Sequence, residues 1–221
     1  MADTLVSTNQ FYDYIRSVSR ISSPLEKFAN ERSYRDSDYF SDILATKMLR
    51  EGDYRRALAV LETLPSSYQH RLNTEEYMLC NPFVLYRKKE DKAFANYKLD
   101  FAREMVACQD IIGNPVLSAQ QRGEAMVKMG CGLRSSVSFA WPLTEYSYGY
   151  EKSHNPSKAA RLMLEKGDKM IDEGIAMMTD REIRAEWLVR TQRRLSVVKS
   201  FRETRAAAEV LLHCDEYKDY R

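Results

Sequence analysis

The chain has few of the residues that turn or interrupt regular structure: eight glycines and six prolines in 221 residues. The apolar residues recur every three or four positions in long segments, and we expect the glycines and prolines to fall between those segments. A fold of many short strands needs turn residues at close intervals, so their scarcity favours long helices. The sequence predicts an all-α protein.

The chain also lacks an excess of charge of one sign and a long apolar run. Its 34 basic and 32 acidic residues leave a net charge of +2, which argues against a dedicated nucleic-acid-binding protein. No run of 18 apolar residues is present, so no transmembrane helix is predicted. No signal peptide is visible, but a trimmed signal would leave the same start. The compartment is therefore undecided, and an exported or cell-envelope location stays open.

Cysteines with metal-ligand spacing are absent as well. Cys80, Cys108, Cys131 and Cys214 lie far apart, whereas a zinc site needs paired ligands two to four residues apart. The spacing indicates free thiols, with one disulfide as the alternative in an oxidising compartment. The segment 130–132, Gly-Cys-Gly, resembles a reactive-cysteine loop, but it lies in an apolar-periodic stretch. We interpret it as small residues at a close helix crossing.

Motifs of the common catalytic and cofactor sites are missing too. His70, His154 and His213 are isolated, and the chain has no Gly-x-Ser-x-Gly, no glycine-rich phosphate loop and no His-Glu-x-x-His. These motifs place a nucleophile, a phosphate or a zinc ion. The sequence therefore predicts no catalytic, cofactor-binding or metal-binding residue, although an enzyme whose site is assembled from distant residues stays open as an alternative.

The segment that organises the chain is 38–65, which predicts a helix, a tight turn and a second helix. Gly52 follows the first helix, where a left-handed C-cap is favourable, and Asp53 can accept free amide protons of the second helix. Pro65 is expected to close the second helix. A pair of short helices cannot bury its apolar faces alone and needs neighbours on both sides. Those faces consist of Ile43, Leu44, Met48, Ala57, Leu58, Leu61 and Leu64.

This hairpin resembles one tetratricopeptide repeat. Gly-Asp-Tyr at 52–54 with Leu58 and Leu61 matches the second half of that repeat, and Ala45 and Ala57 occupy its two small positions. The resemblance implies a right-handed stack of antiparallel helical hairpins in one domain, residues 1–221, but no activity.

The resemblance is partial. Ser41 stands where that repeat has Trp, Met48 stands where it has Tyr, and its proline is at 65 rather than 69. No clean repeat period runs along the chain, so an irregular array is expected. Further helices are predicted at 9–20, 24–34, 91–112, 118 to about 139, 157 to about 178, from 180 through Val198, and 200–213.

A second resemblance covers residues 38–217. Residues 98–105, residues 132–136 leading into Trp-Pro-Leu-Thr-Glu-Tyr at 141–146, and Cys-Asp at 214–215 resemble segments of large helical-hairpin proteins of Bacteroidetes. This likeness implies that the chain is the C-terminal part of a longer exported protein. It adds no function, because no activity is established for those proteins.

An aromatic patch is the first candidate for binding a partner. It begins at Trp141, and Tyr146, Tyr148 and Tyr150 alternate after it. In an extended segment alternate side chains lie on one side, and tyrosine is common at protein interfaces. The alternative is that these rings pack between neighbouring hairpins.

An arginine-rich stretch at 181–205 is the second candidate. Arg193 and Arg194 lie at its centre, and such a stretch can bind phosphate groups or an acidic partner. The alternative is a solvated helix face on which arginine stems cover apolar surface. Trp187 falls on the apolar stripe and is predicted to be in the core. The sequence as a whole favours a non-catalytic scaffold that binds a protein or peptide, with polyanion binding as an alternative.

Overall fold

The computed structural model describes residues 7–20, 23–32, 37–68, 81–85, 97–138 and 158–191. These ranges contain helices and turns and no strand, so the all-α prediction is confirmed. Within them, no helix is both long enough and apolar enough to cross a bilayer. The helices are α1 (Thr8–Ser19), α2 (Pro24–Arg32), α3 (Ser37–Glu51), α4 (Tyr54–Leu61), α5 (Tyr97–Gly113), α6 (Ala119–Ser138), α7 (Lys158–Met177) and α8 (Arg181–Arg190).

Most helices pack against their neighbours in chain order. Helix α3 contacts α1 and α4, α4 contacts α5, α5 contacts α6, α6 contacts α7, and α7 contacts α8. The contact between α6 and α7 is the most extensive of these. This order is compatible with a row of helical hairpins, while the right-handed superhelix and the single domain remain predictions.

The turn between α3 and α4 forms as the sequence predicts. Gly52 has a φ of 81°, and the amides of Gly52 and Asp53 donate to the carbonyls of Leu49 and Met48. These two bonds are the Schellman arrangement that ends many helices. The Asp53 side chain accepts from the amide of Arg56 at 3.3 Å, which caps α4.

The predicted end of α4 at Pro65 is wrong. The helix ends at Leu61, and Pro65 precedes a short helical turn at 66–68 instead. The Pro65 carbonyl accepts from the amide of Tyr68 at 2.9 Å. Proline suits the start of a helical turn because its missing N–H is not needed there, so this proline opens the next turn.

Among the glycines in the described ranges, five lie in the interior of helices and Gly113 is the last residue of α5, which contradicts the expectation that glycines separate the helices. A Cβ added to Gly123 would lie 2.6 Å from the carbonyl oxygen of Gly174, and one added to Gly130 would lie 2.6 Å from that of Gly167. The two glycines on each helix are seven residues apart, and the order of the contacts shows that the helices are antiparallel. We call these four residues the glycine seam, because the antiparallel backbones of α6 and α7 touch there. Gly132 is the fifth.

The interpretation of residues 130–132 as small residues at a close crossing is confirmed. Gly130 belongs to the glycine seam, and Cys131 is fully buried. A Cβ on Gly132 would lie 2.8 Å from the ring of Phe83 and 3.1 Å from the sulfur of Met105. Glycine is therefore required on two sides of α6, by a backbone on one side and by a ring and a thioether on the other.

Residues 81–85 lie against the helices and form a turn. The Asn81 side chain accepts from the amide of Phe83 at 2.9 Å, a side-chain mimic of a backbone turn. The ring of Phe83 stacks on Phe101 with centroids 5.4 Å apart, and the Ser135 hydroxyl donates to the Pro82 carbonyl at 2.7 Å. These contacts fix the segment on α5 and α6.

An ion pair is buried between α3 and α5. The Lys98 ammonium lies 2.6 Å from a carboxylate oxygen of Asp42, and the two side chains are 6% and 7% exposed. Burying two charges costs desolvation energy that their attraction offsets only when the geometry is good. Removal of either partner alone would leave an uncompensated charge, so this pair fixes α5 on α3.

Candidate binding cleft

The residues that the sequence singles out for binding lie outside the described ranges. These are the aromatic patch, Trp141, Tyr146, Tyr148 and Tyr150, and the arginine pair, Arg193 and Arg194. The three histidines, Cys80 and Cys214 also lie outside them. Partner binding at the patch and at the arginine pair therefore stays a prediction.

The described start of the arginine-rich stretch is helix α8. Trp187 is buried there, as predicted, and the Arg190 guanidinium lies 5.4 Å from the centre of its ring. Arg190 also lies 3.5 Å from Glu186. The helix ends at Arg190, with Thr191 as its C-cap, whereas residues 192–198 of the predicted helix lie outside the described ranges. The Thr191 hydroxyl donates to the Trp187 carbonyl and closes this end.

A cleft of about 210 Å³ opens between α5 and α6. Helix α5 contributes positions 104, 108 and 111, and α6 contributes 121, 124, 125 and 128, with Leu117 from the connecting loop. Both sets repeat at three- and four-residue spacing, so one face of each helix lines the cleft. Its lining residues are Glu104, Cys108, Ile111, Leu117, Gln121, Glu124, Ala125 and Lys128.

The loop 114–118 holds one end of the cleft in a defined shape. The Asn114 side chain accepts from the amide of Val116 at 3.0 Å. Gln121 and Ser118 form a reciprocal cap at the start of α6, because the Gln121 side chain accepts from the Ser118 amide and the Ser118 hydroxyl accepts from the Gln121 amide. This reciprocal pair is a capping box, and it fixes the start of α6 where the sequence predicts a helix to begin. Val116, which precedes Leu117, is 89% exposed.

The lining of the cleft has a net charge of −1, because it contains two carboxylates, Glu104 and Glu124, and one ammonium group, Lys128. The Lys128 ammonium lies 3.4 Å from a carboxylate oxygen of Glu104. The second carboxylate belongs to Glu124, whose Oε1 accepts a hydrogen bond from the side-chain Nε2 of Gln120 at 2.7 Å. Glu124 has no cationic partner among the residues that the structure describes. A carboxylate has room for several further hydrogen bonds, so Glu124 can still bind a cation.

Cys108 lies in the floor of the cleft and is 1% exposed. The pKa of its thiol is raised to about 12, chiefly by burial and also by the carboxylate of Glu104, while the ammonium of Lys128 acts in the opposite direction. A cysteine nucleophile needs the opposite shift, toward the thiolate. A cysteine beside carboxylates in a cleft could belong to an enzyme, but the thiol of Cys108 is neutral at pH 7. Cys108 and Cys131 form no disulfide, in agreement with the prediction of thiols at these two positions.

The cleft was not predicted from the sequence. Phe101, Met105 and Cys108 recur at three- and four-residue spacing on α5, and all three are buried. The polar lining residues were not singled out, because they form no local motif. The sequence does contain one indication of the cleft, because its lining positions recur at three- and four-residue spacing on both predicted helices.

Comparison of the chain with protein-family models, with curated proteins and with solved structures finds no match. The likeness to the tetratricopeptide repeat and to helical proteins of Bacteroidetes therefore remains a prediction from the residues quoted above. Among the described residues, no group of three His, Cys, Asp or Glu side chains is placed to hold a metal ion.

Proposed function

We propose that the protein is a non-catalytic interaction scaffold that binds a protein or peptide segment in the cleft between α5 and α6. The observation that supports this function is a cleft with a neutral floor, open to solvent, between two helices. Cys108, Ile111 and Ala125 supply an apolar lining, while the polar groups lie on α5 and α6 around it. A combination of apolar contacts and a few polar groups is what recognition sites use.

The size of the cleft favours a side chain of a larger partner over a free small molecule. Drug-sized ligands occupy pockets of about 300–1,000 Å³, and this cleft has about 210 Å³. A cavity of about 150 Å³ suffices for one benzene ring. One side chain of a peptide therefore fills the available space, and the rest of the peptide would lie on the helices outside.

The support of α6 also favours binding without rearrangement. The glycine seam holds α6 against α7 by backbone contact, and the loop cap at Ser118 fixes its first turn. A site that is already ordered loses less conformational entropy when it binds. A cleft on such a helix suits a scaffold.

Selection of random peptides from a display library on the immobilised protein tests this function. We expect the wild type to enrich peptides, and the variant Ala125→Leu, which places a larger side chain in the cleft, to lose them. The triple variant Tyr146→Ala, Tyr148→Ala and Tyr150→Ala serves as the second arm, since it tests the predicted aromatic patch.

Each result has a separate meaning. Loss of the peptides with Ala125→Leu alone supports the cleft as the site. Loss with the tyrosine variant alone moves the binding site to the aromatic patch and keeps the scaffold function. No enrichment over uncoated beads contradicts the scaffold function. The predicted polyanion surface is tested separately by heparin binding at low salt, which Arg193→Glu with Arg194→Glu should abolish if that surface exists.

A further inference from the structure

We infer that the cleft between α5 and α6 takes an aliphatic side chain from a peptide segment that carries a lysine or arginine beside it. The inference rests on the proposed function and names the chemistry of the bound segment. It depends on three observations: the uncharged floor, the volume of the cleft, and the one carboxylate in the lining that has no cationic partner in the described structure.

The floor selects an apolar group. Ile111, Leu117 and Ala125 present hydrocarbon, and the thiol of Cys108 is neutral and buried. A polar or charged group placed on this floor would lose hydrogen bonds to water without replacement. The volume of about 210 Å³ accommodates one aliphatic side chain, which gains free energy by leaving water.

The surplus carboxylate selects a cation beside that group. Glu104 is paired with Lys128, so Glu124 carries the net negative charge of the lining. Its Oε1 accepts from Gln120, which orients the carboxylate, and Oε2 has no hydrogen-bond partner within the described ranges. A lysine or arginine next to the bound aliphatic residue can reach this oxygen. An acidic neighbour would be repelled.

The exposed Val116 extends the apolar surface beyond the cleft. It precedes the lining residue Leu117 and is 89% exposed, and the Asn114 side chain fixes its amide. A single exposed valine needs no explanation by itself. Beside the cleft it offers contact area to a residue that flanks the bound side chain, so a segment of several residues fits better than an isolated amino acid.

The test uses a display library of heptapeptides with a fixed central leucine and six randomised flanking positions. The library is selected on the full-length protein, on Glu124→Gln and on Glu165→Gln. Gln at position 124 keeps an oxygen for the Gln120 amide and removes only the charge. Glu165 is an exposed residue of α7, so its substitution is the matched control for the change in net charge.

We expect lysine and arginine to be enriched in the flanks of peptides selected on the wild type and on Glu165→Gln, and to lose that enrichment on Glu124→Gln. An exposed ion pair contributes modestly. The best peptide, resynthesised with a fluorophore, should therefore bind Glu124→Gln about threefold more weakly than wild type in anisotropy at low salt. Its affinity for Glu165→Gln should not change.

Two other outcomes overturn the inference and are distinguishable. Peptides that bind but show no basic flanks, or the same flanks on Glu124→Gln, contradict the cation and leave the scaffold function standing. If the fixed-leucine library yields no binders while the fully random library does, the inference that the cleft takes an aliphatic side chain is wrong. If neither library yields binders, the scaffold function fails as well.

Discussion

Helix α6 has two faces that are built on opposite principles. The face toward α7 carries Gly123 and Gly130, and there the two backbones touch. The face toward α5 carries Gln121, Glu124 and Lys128, and there the helices leave a cleft. The first interface is closed because side chains are missing, and the second is open because side chains of intermediate length do not fill the space between the helices.

The two faces also border different hydrophobic clusters. Val127 and Cys131 belong to a cluster with residues of α7 and α8, while Ala125, Met129 and Leu133 belong to the cluster that contains buried residues of α1, α3, α4 and α5. Since α6 belongs to both clusters, it cannot move relative to one without disturbing the other. A helix that is held tightly on one face can present a fixed binding surface on the other. The packing of the glycine seam is therefore consistent with the proposed function of the opposite face.

The largest effect that we expect concerns the reactivity of Cys108 on the open face. A rise of the pKa from 9.0 to about 12 lowers the thiolate fraction at pH 8 about a thousandfold. The greater nucleophilicity of a more basic thiolate offsets part of this loss. Alkylation by iodoacetamide at pH 8, followed at Cys108 by mass spectrometry, should be about tenfold to a hundredfold slower than in the urea-unfolded chain.

The pH profile gives the sign of the shift. In the folded protein the alkylation rate of Cys108 should still increase above pH 10, because the thiol is mostly protonated there. In the unfolded chain the rate should be half-maximal near the ordinary thiol pKa of 9.0 and level off at about pH 10, which makes the unfolded chain the control. A plateau below pH 8 in the folded protein would show a thiolate and would reopen the enzymatic alternative.

The next largest effect concerns the closed face. In Gly130→Ala the new Cβ meets the carbonyl oxygen of Gly167, so the helices must separate. Overpacking costs about 1–3 kcal/mol, and the better helix propensity of alanine returns roughly 0.5–1 kcal/mol. We expect a net loss of about 1–2 kcal/mol in the free energy of unfolding, measured in urea.

The double variant Gly130→Ala with Gly167→Ala tests whether both substitutions act at one crossing. Once the first Cβ has separated the helices, the second meets less resistance, so the loss should be smaller than the sum of the single losses. Full additivity would mean that the two glycines do not share a contact.

The smallest effect is expected at Gly113, which lies in the last turn of α5. A Cβ there meets no atom within 4 Å, and its φ is not in the left-handed region. Gly113→Ala should therefore change stability by less than about 1 kcal/mol, with a gain expected from helix propensity. A loss as large as that of Gly130→Ala would show that glycine substitution itself, rather than the close helix contact, is destabilising.

Local features of the fold could be predicted from the sequence. The turn at Gly52 and Asp53 follows from residue types that favour a left-handed cap and a helix N-cap. Ala45 and Ala57, placed at small positions, are fully buried. The stop at Gly113 and the cap at Ser118 also follow from neighbouring residues. These features depend on the backbone preferences of a few adjacent residues.

Features that join distant segments could not be predicted in the same way. The segment 130–132 suggested a close crossing, but not that Gly130 meets Gly167, although both helices carry glycines seven residues apart. Leu162 is an apolar residue of α7, yet it is exposed. It lies five residues before Gly167, about 140° away around the helix. The cleft depends on the spacing between two helices, which no local pattern encodes.

The most direct test of the two-faced helix compares Gly123→Ala with Ala125→Leu by urea unfolding. These positions are two residues apart on α6. A Cβ on Gly123 would lie 2.6 Å from the carbonyl oxygen of Gly174, whereas Ala125 lines the cleft. We predict that adding one carbon at 123 lowers the free energy of unfolding by about 1–2 kcal/mol. Adding three carbons at 125, a buried position beside about 210 Å³ of free space in the cleft, should lower it by less. The reverse order would contradict a closed face toward α7 and an open face toward α5.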